Sequence, residues 1–184
     1  MSGLRFQSAL QVFDAFPEMH EDMVAQAADI TPLDYLRQLE NSASPEDAIT
    51  FCAHLLDRRR AVWWALGCVR HLAPAQTREE EIAIRTAETW VREPEEHRRI
   101  AALGIGMKGR RDIAGTWVAL AAGGSGGTMN SGNLPGPPVP PNLCARAVRT
   151  AILVALSTKP ARERKAFLTN CVQMFRDLAK GEQG

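Results

Sequence analysis

The amino-acid sequence predicts an all-α protein: a helical bundle or a short stack of helical hairpins, interrupted by one long Gly/Pro-rich loop. Three observations carry this. Hydroxyl, proline and acid combinations that start helices recur along the chain, apolar side chains return at helical spacing, and no alternating β-branched run is bounded by hairpin turns. With 184 residues, 45% of them hydrophobic and 23% charged, the chain is long and apolar enough to close its own core. Its longest apolar runs, such as Ala151 to Leu156, have six residues, far short of the roughly 18 a membrane-spanning helix needs.

Helices are expected at about 6–16, 18–28, 32–41, 45–56, 58–73, 78–92, 95–107, 112–122, 142–157 and 161–180. Pro17 separates the first two. Thr31-Pro32-Leu33-Asp34 supplies an N-cap hydroxyl, proline at the first helical position and an acid in the first turn; Ser44-Pro45-Glu46-Asp47 repeats that chemistry. The fifth helix shows Val62, Leu66, Val69 and Ala73 on one stripe, and Thr77-Arg78-Glu79-Glu80 reads as a capping box for the sixth. Pro94 divides the sixth from the seventh. Phe167, Cys171, Met174, Phe175 and Leu178 line one face of the last helix. Trp63, Trp90 and Trp117 stand 27 residues apart, but the other fixed positions of a tetratricopeptide repeat are missing. Residues 123–141 hold six glycines and five prolines, a flexible half followed by a stiff one. Such a segment serves as a crossover strap, a partner-binding loop or a catalytic loop.

Charge divides the chain. Residues 1–57 carry ten acids against Arg5 and Arg37, a net of −8, and the remainder carries twenty bases against eleven acids, a net of +9. We read 1–57 as an acidic section and 58–184 as a basic section of one compact domain. Either the acidic part sits against its own basic part, or the basic face meets an acidic partner.

Catalytic constellations fail one by one. Gly104-Ile105-Gly106-Met107-Lys108-Gly109 matches the dinucleotide fingerprint, yet a helix precedes it and no acid follows near 20 residues on; it reads as a glycine-ended helix and a basic turn. The Gly-rich loop lacks a Lys-Ser or Lys-Thr step, and Ser125 has no nucleophile-elbow frame. Cys52 and His54 point some 200° apart on a helix and cannot join Cys68 and His71 at one zinc, so neither metal nor cofactor is expected. The carboxylates at Glu79-Glu80-Glu81 and Glu95-Glu96 serve helix starts. Lys108, Arg110, Arg111, Arg146, Arg149, Arg162, Arg164 and Lys165 would attract nucleic acid if they shared one stripe, but no recognised binding signature accompanies them. The four cysteines are expected as reduced thiols of a cytoplasmic protein.

The most distinctive chemistry is Trp63-Trp64 behind Arg58-Arg59-Arg60. Adjacent indoles on a helix point about 100° apart, so one enters the core while its neighbour covers a groove. Arg58, Arg59, Trp63, Trp64, Arg70, Arg146 and Arg149 form the expected partner-binding set, because Trp and Arg dominate binding hot spots.

Ala61-Val62-Trp63-Trp64-Ala65 with Cys68-Val69-Arg70, Ala87-Glu88-Thr89-Trp90-Val91-Arg92-Glu93-Pro94 with Arg98-Arg99, and Pro137-Pro138-Val139-Pro140-Pro141 through Ala145-Arg146-Ala147-Val148 resemble segments of an uncharacterised bacterial all-helical family. That family is found near genes of type VI secretion and forkhead-associated proteins. The resemblance covers roughly residues 55–155 and brings no catalytic residues with it. In the family an aromatic residue often precedes the Ser-Gly-Gly step, whereas Gly123-Gly124 precedes Ser125 here. The resemblance implies no known activity. The missing catalytic constellation, in a charge-polarised helical body with an irregular loop, leads us to expect a non-enzymatic adaptor or accessory subunit that binds another protein with an acidic surface, and the gene neighbourhood of the resembled family suggests a secretion apparatus. The alternatives are an enzyme with its site under the Gly-rich loop and a nucleic-acid-binding protein.

Overall fold

Ten α-helices fill the described residues, 4–75, 77–130 and 136–181, of a computed structural model. They are α1 (Ala9–Ala15), α2 (Met19–Asp22), α3 (Pro32–Glu40), α4 (Asp47–Leu55), α5 (Arg58–Leu72), α6 (Arg78–Arg92), α7 (Glu96–Lys108), α8 (Ala114–Gly123), α9 (Leu143–Ser157) and α10 (Ala161–Lys180). From Pro32 onward every expected helix forms within two residues of its expected ends. The predicted caps explain part of this. Thr31 Oγ1 accepts from Asp34 N at 3.2 Å and Thr77 Oγ1 from Glu80 N at 3.1 Å, each satisfying a first-turn amide that has no intrahelical partner.

Two expectations fail in the acidic section. The helix expected over 18–28 stops at Asp22, and Ser44 does not cap α4. The buried carboxylate of Asp47 instead accepts from Val24 N at 2.9 Å and Ala25 N at 2.8 Å. Those amides are thereby held in a non-helical segment, whose carbonyls at Ala28 and Ile30 accept from Leu10 N and Ala9 N at the start of α1. A tertiary acceptor has replaced the helical ladder.

α8 is the apolar centre and packs on α5, α6, α7 and α9; α9 in turn meets α4, α5, α8 and α10. A single buried cluster runs from Ala9 to Phe175, so the acidic and basic sections share one core. Their charges also meet. Arg146 Nε lies 2.7 Å from Asp22 Oδ2 and its Nη2 3.0 Å from Glu21, while Arg176 forks onto Glu40. The three equally spaced tryptophans occupy unlike places: Trp63 is exposed, Trp90 buried and Trp117 half-buried. Their spacing marks no structural repeat.

α7 and α8 run antiparallel at unusually short range. A Cβ at Gly106 would stand 2.5 Å from Leu120 Cα, and one at Gly123 would stand 2.3 Å from Leu103 Cα. The Gly106 of the apparent fingerprint is therefore a helix-packing residue, and the helix continues past it to Lys108.

The long loop is built as a strap, at least in its described parts; residues 131–135, which include the start of its proline half, lie outside them. Met129 N donates to Pro137 O at 2.8 Å and Val139 N to Gly127 O at 3.0 Å, around an antiparallel bridge between Thr128 and Pro138. Arg99, buried on α7, donates from Nη1 to Gly123 O at 2.6 Å and from Nη2 to Thr128 O at 3.3 Å, with Glu96 balancing its charge. Gly127 has φ +68°, and a Cβ there would stand 2.8 Å from Arg99 Nη2. Arg58 donates to Ser125 O at 2.6 Å and reaches Pro141 O at 3.5 Å, touching both arms.

Gly106→Ala and Gly123→Ala should each destabilise by about 2–3 kcal/mol, because the clash is with backbone on a neighbouring helix. Thermal melting would then fall by roughly 4–12 °C, while Gly181→Ala, with nothing within 4 Å of its added carbon, should leave it unmoved. Arg99→Met should cost about 2–4 kcal/mol by leaving carbonyls without donors, and hydrogen exchange at Met129 and Val139 should accelerate more than in the α9 core.

Candidate functional site

Asp57 opens the site. Its Oδ1 accepts from Arg60 N at 3.1 Å, capping α5 and fixing where the three arginines and two tryptophans that follow it point. Trp64 turns inward: it is 2% exposed, its Nε1 donates to Cys171 O at 2.8 Å, and its ring meets Phe175 edge-on at 6.0 Å. Trp63, one residue and about 100° away, is 46% exposed. It stands as a ridge between two surface hollows. One, about 440 Å³, lies toward Gly67, Arg70, Glu88, Met174 and Leu178; the other, about 340 Å³, lies toward Arg59, Arg60, Val91 and Arg92.

The charges around Trp63 are held in defined positions. Arg59 donates to Val91 O at 2.6 Å and to Arg92 O at 3.1 Å, occupying carbonyls that the end of α6 leaves open. Arg70 bridges α5 to α6 through Glu88 at 2.6 Å and Glu81 at 3.5 Å. Arg92 is exposed and makes no ion pair among the described residues.

The seven expected binding residues thus divide. Arg59, Trp63 and Arg70 share one face. Trp64 leaves the set, because its indole and its N–H are both consumed by the core. Arg58 is bound up with the strap. Arg146 and Arg149 are not offered to a partner: Arg146 pairs with Asp22 and Glu21, and Arg149 donates to Thr50 Oγ1 at 2.9 Å and Asp22 O at 3.4 Å. Four of the other bases considered for nucleic acid have local acceptors: Arg110 pairs with Asp112, Arg111 donates to Gly106 O, Arg162 lies beside Glu163 and Arg164 donates to Lys159 O. Sequence reasoning missed Arg92. Its place one turn beyond Glu88 on the helix facing α5 was the available signal.

A third hollow, about 480 Å³, opens beneath the strap and touches Ser125 and His54. No hydrogen bond joins those two residues. His54 Nδ1 lies 2.8 Å from Thr50 O, and the Ser125 carbonyl accepts from Arg58. Burial pushes the Cys144 thiol of the same wall up to about 12, so it stays protonated at neutral pH. His71 lies elsewhere, tilted against Phe167 at 5.8 Å. Cys52, Cys68 and Cys171 are buried together in the core.

DUF6931, a family of unknown function, matches residues 35–179 of the chain. No curated protein and no solved structure matches it.

Burial lowers the His54 pKa below its ordinary value, against the raising effects of the Thr50 carbonyl and of Asp22 and Glu18. An unfolded histidine takes up a proton near pH 6.5 and folded His54 does so only at lower pH, so stability should fall as pH drops below about 6.5. Urea unfolding at pH 7.5 and pH 5 should show this loss, and His54→Gln should shrink the difference between the two.

Proposed function

The chain belongs to DUF6931, a family of unknown function, and we propose that it is an adaptor or accessory subunit that docks another protein on its Trp63 face. The single observation behind this reading is a half-exposed indole set between two hollows and ringed by Arg59, Arg60, Arg70 and Arg92. Exposed tryptophan on a monomer's surface is costly to hydrate and suited to insertion into a partner's pocket. Arginine beside it stacks on aromatic rings and forks onto carboxylates.

The partner is a protein with an acidic patch beside an apolar pocket. Arg92 offers the guanidinium for the acid, since it has no ion pair of its own to break. The sequence resemblance extends the proposal to a cytoplasmic role in a type VI secretion apparatus, and the partner is then one of its components.

Affinity capture with mass spectrometry, from cells with active type VI secretion, tests this. Trp63→Ala should weaken capture of a specific protein by about 30-fold or more, the scale of a hot-spot residue worth about 2 kcal/mol, with melting unchanged. Arg92→Glu should weaken it further by reversing the charge. Equal capture by the native chain and Trp63→Ala would defeat the proposal.

A further inference from the structure

The hollow beneath the strap, about 480 Å³, has the size of pockets that hold small organic molecules, roughly 300–1,000 Å³. It lies where the corner between α4 and α5 passes under the loop, and its lining mixes cations with aromatic and apolar side chains. Arg5, Arg58 and Arg59 are among the lining residues, with Asp57 as the acid beside them. Three guanidinium charges therefore face one carboxylate. That carboxylate is already committed: Asp57 caps α5 and pairs with the Arg60 guanidinium.

The three arginines keep their charge unanswered in different ways. Arg58 and Arg59 donate to backbone carbonyls of Ser125, Pro141, Val91 and Arg92, which orient the forks without neutralising them. Arg5 lies over the rings of Phe6 at 4.7 Å and Phe16 at 5.7 Å and has no ion pair among the described residues. Ring faces stabilise a cation and leave its N–H groups directed elsewhere. Phe16, Leu56 and Trp90 add apolar and aromatic surface to the lining, with Phe16 next to the Arg5 guanidinium.

Two neutral polar groups complete the lining. The Ser125 hydroxyl makes no hydrogen bond among the described residues. His54 has Nδ1 on the Thr50 carbonyl, so its Nε2 carries the lone pair of a neutral imidazole, and burial holds it in that state.

We propose that this hollow binds a small organic anion, with a carboxylate or phosphate group between Arg5 and Arg58 and a flat apolar body against Phe16 and Trp90. The Ser125 hydroxyl donates a further hydrogen bond to the anionic group. A bare inorganic ion fits poorly, because it would leave the aromatic surface uncovered. The strap matters to this site directly, since Arg58 is positioned by Ser125 and Pro141, one residue from each arm. The inference does not rest on the Trp63 docking face: Arg59 borders both, but Trp63 is no part of the hollow and the anion is placed between Arg5 and Arg58.

The probes are phenyl phosphate, benzoate and inorganic phosphate, titrated into the full chain and followed by the amide signal of Ser125 and the ring signals of His54 in NMR spectra. Saturable shifts at both places are expected with phenyl phosphate or benzoate, and the tighter of the two identifies the preferred anionic group. The better organic probe should bind about tenfold or more tightly than inorganic phosphate, through burial of its ring. Arg5→Gln should weaken it about tenfold with melting unchanged, because Arg5 lies outside the strap and its ion pairs. Ser125→Ala should weaken it by a smaller factor, and Trp63→Ala should leave it unaltered. The proposal is overturned by absence of saturable shifts at about 10 mM of both organic probes, by equal affinity for inorganic phosphate, or by undiminished binding in Arg5→Gln.

Discussion

The backbone contact between α7 and α8 is the constraint on which the remaining architecture rests. Two helices approach this closely only where no Cβ stands between them, and Gly106 and Gly123 remove one from each side. The consequence runs on along the chain. With Gly123 drawn against Leu103, its carbonyl comes within 2.6 Å of Arg99 one turn earlier on α7. Arg99 also holds the Thr128 carbonyl, and Gly127 adopts its left-handed conformation against the guanidinium plane. The glycine-rich half of the loop is therefore ordered by a buried cation rather than by its own composition. From there Arg58 ties Ser125 to Pro141, and the chain is delivered to α9.

The lopsided charge of the sequence has a largely internal meaning. Acids at Asp22, Glu21 and Glu40 come from the first section, and Arg146 and Arg176 come from the last two helices. These pairs are partly exposed, so each adds modestly to stability; the shared core of α4, α9 and α10 contributes more. What the pairs do is fix orientation. They also remove Arg146 from the surface available to a partner, as Thr50 Oγ1 and the Asp22 carbonyl do for Arg149, which is why an abundance of basic residues does not by itself make an interface. A cation already beside a carboxylate must lose that contact before it gains another.

Most of the fold was legible because it is local. Thr31 and Thr77 cap where hydroxyls precede acids, and amphipathic stripes placed α5 and α10 to within a residue. The larger failures involve a distant partner. Nothing near Met23 to Asp29 announces that Asp47, more than twenty residues away, will take the Val24 and Ala25 amides. The glycine-ended helix and basic turn read from 104–111 are borne out, with Gly109 closing α7; only the neighbouring Leu120 reveals that Gly106, inside that helix, is a point of contact. Arg99 gave no signal, since a charged residue on a helix is ordinarily solvated. At the candidate site the division between Trp63 and Trp64 was legible from helix geometry, but which indole faces out depends on the Cys171 carbonyl, 107 residues from Trp64.

That last bond also bears on the proposed docking face. A helix that presents a binding residue must not rotate, since a turn of about 100° would exchange Trp63 for Trp64. Trp64 resists such rotation in two ways: it fills the space beside Phe175, and its N–H would lose a buried acceptor on leaving. Arg59 and Arg70 lock the same helix to α6 from the other side. The exposed indole is thus held by contacts made within the protein's own fold. Because its direction is fixed before any encounter, less conformational freedom remains to be lost on association. The buried neighbour and the exposed ridge are two halves of one device: stability on the inner side of α5 supplies the preorganisation that recognition on its outer side requires.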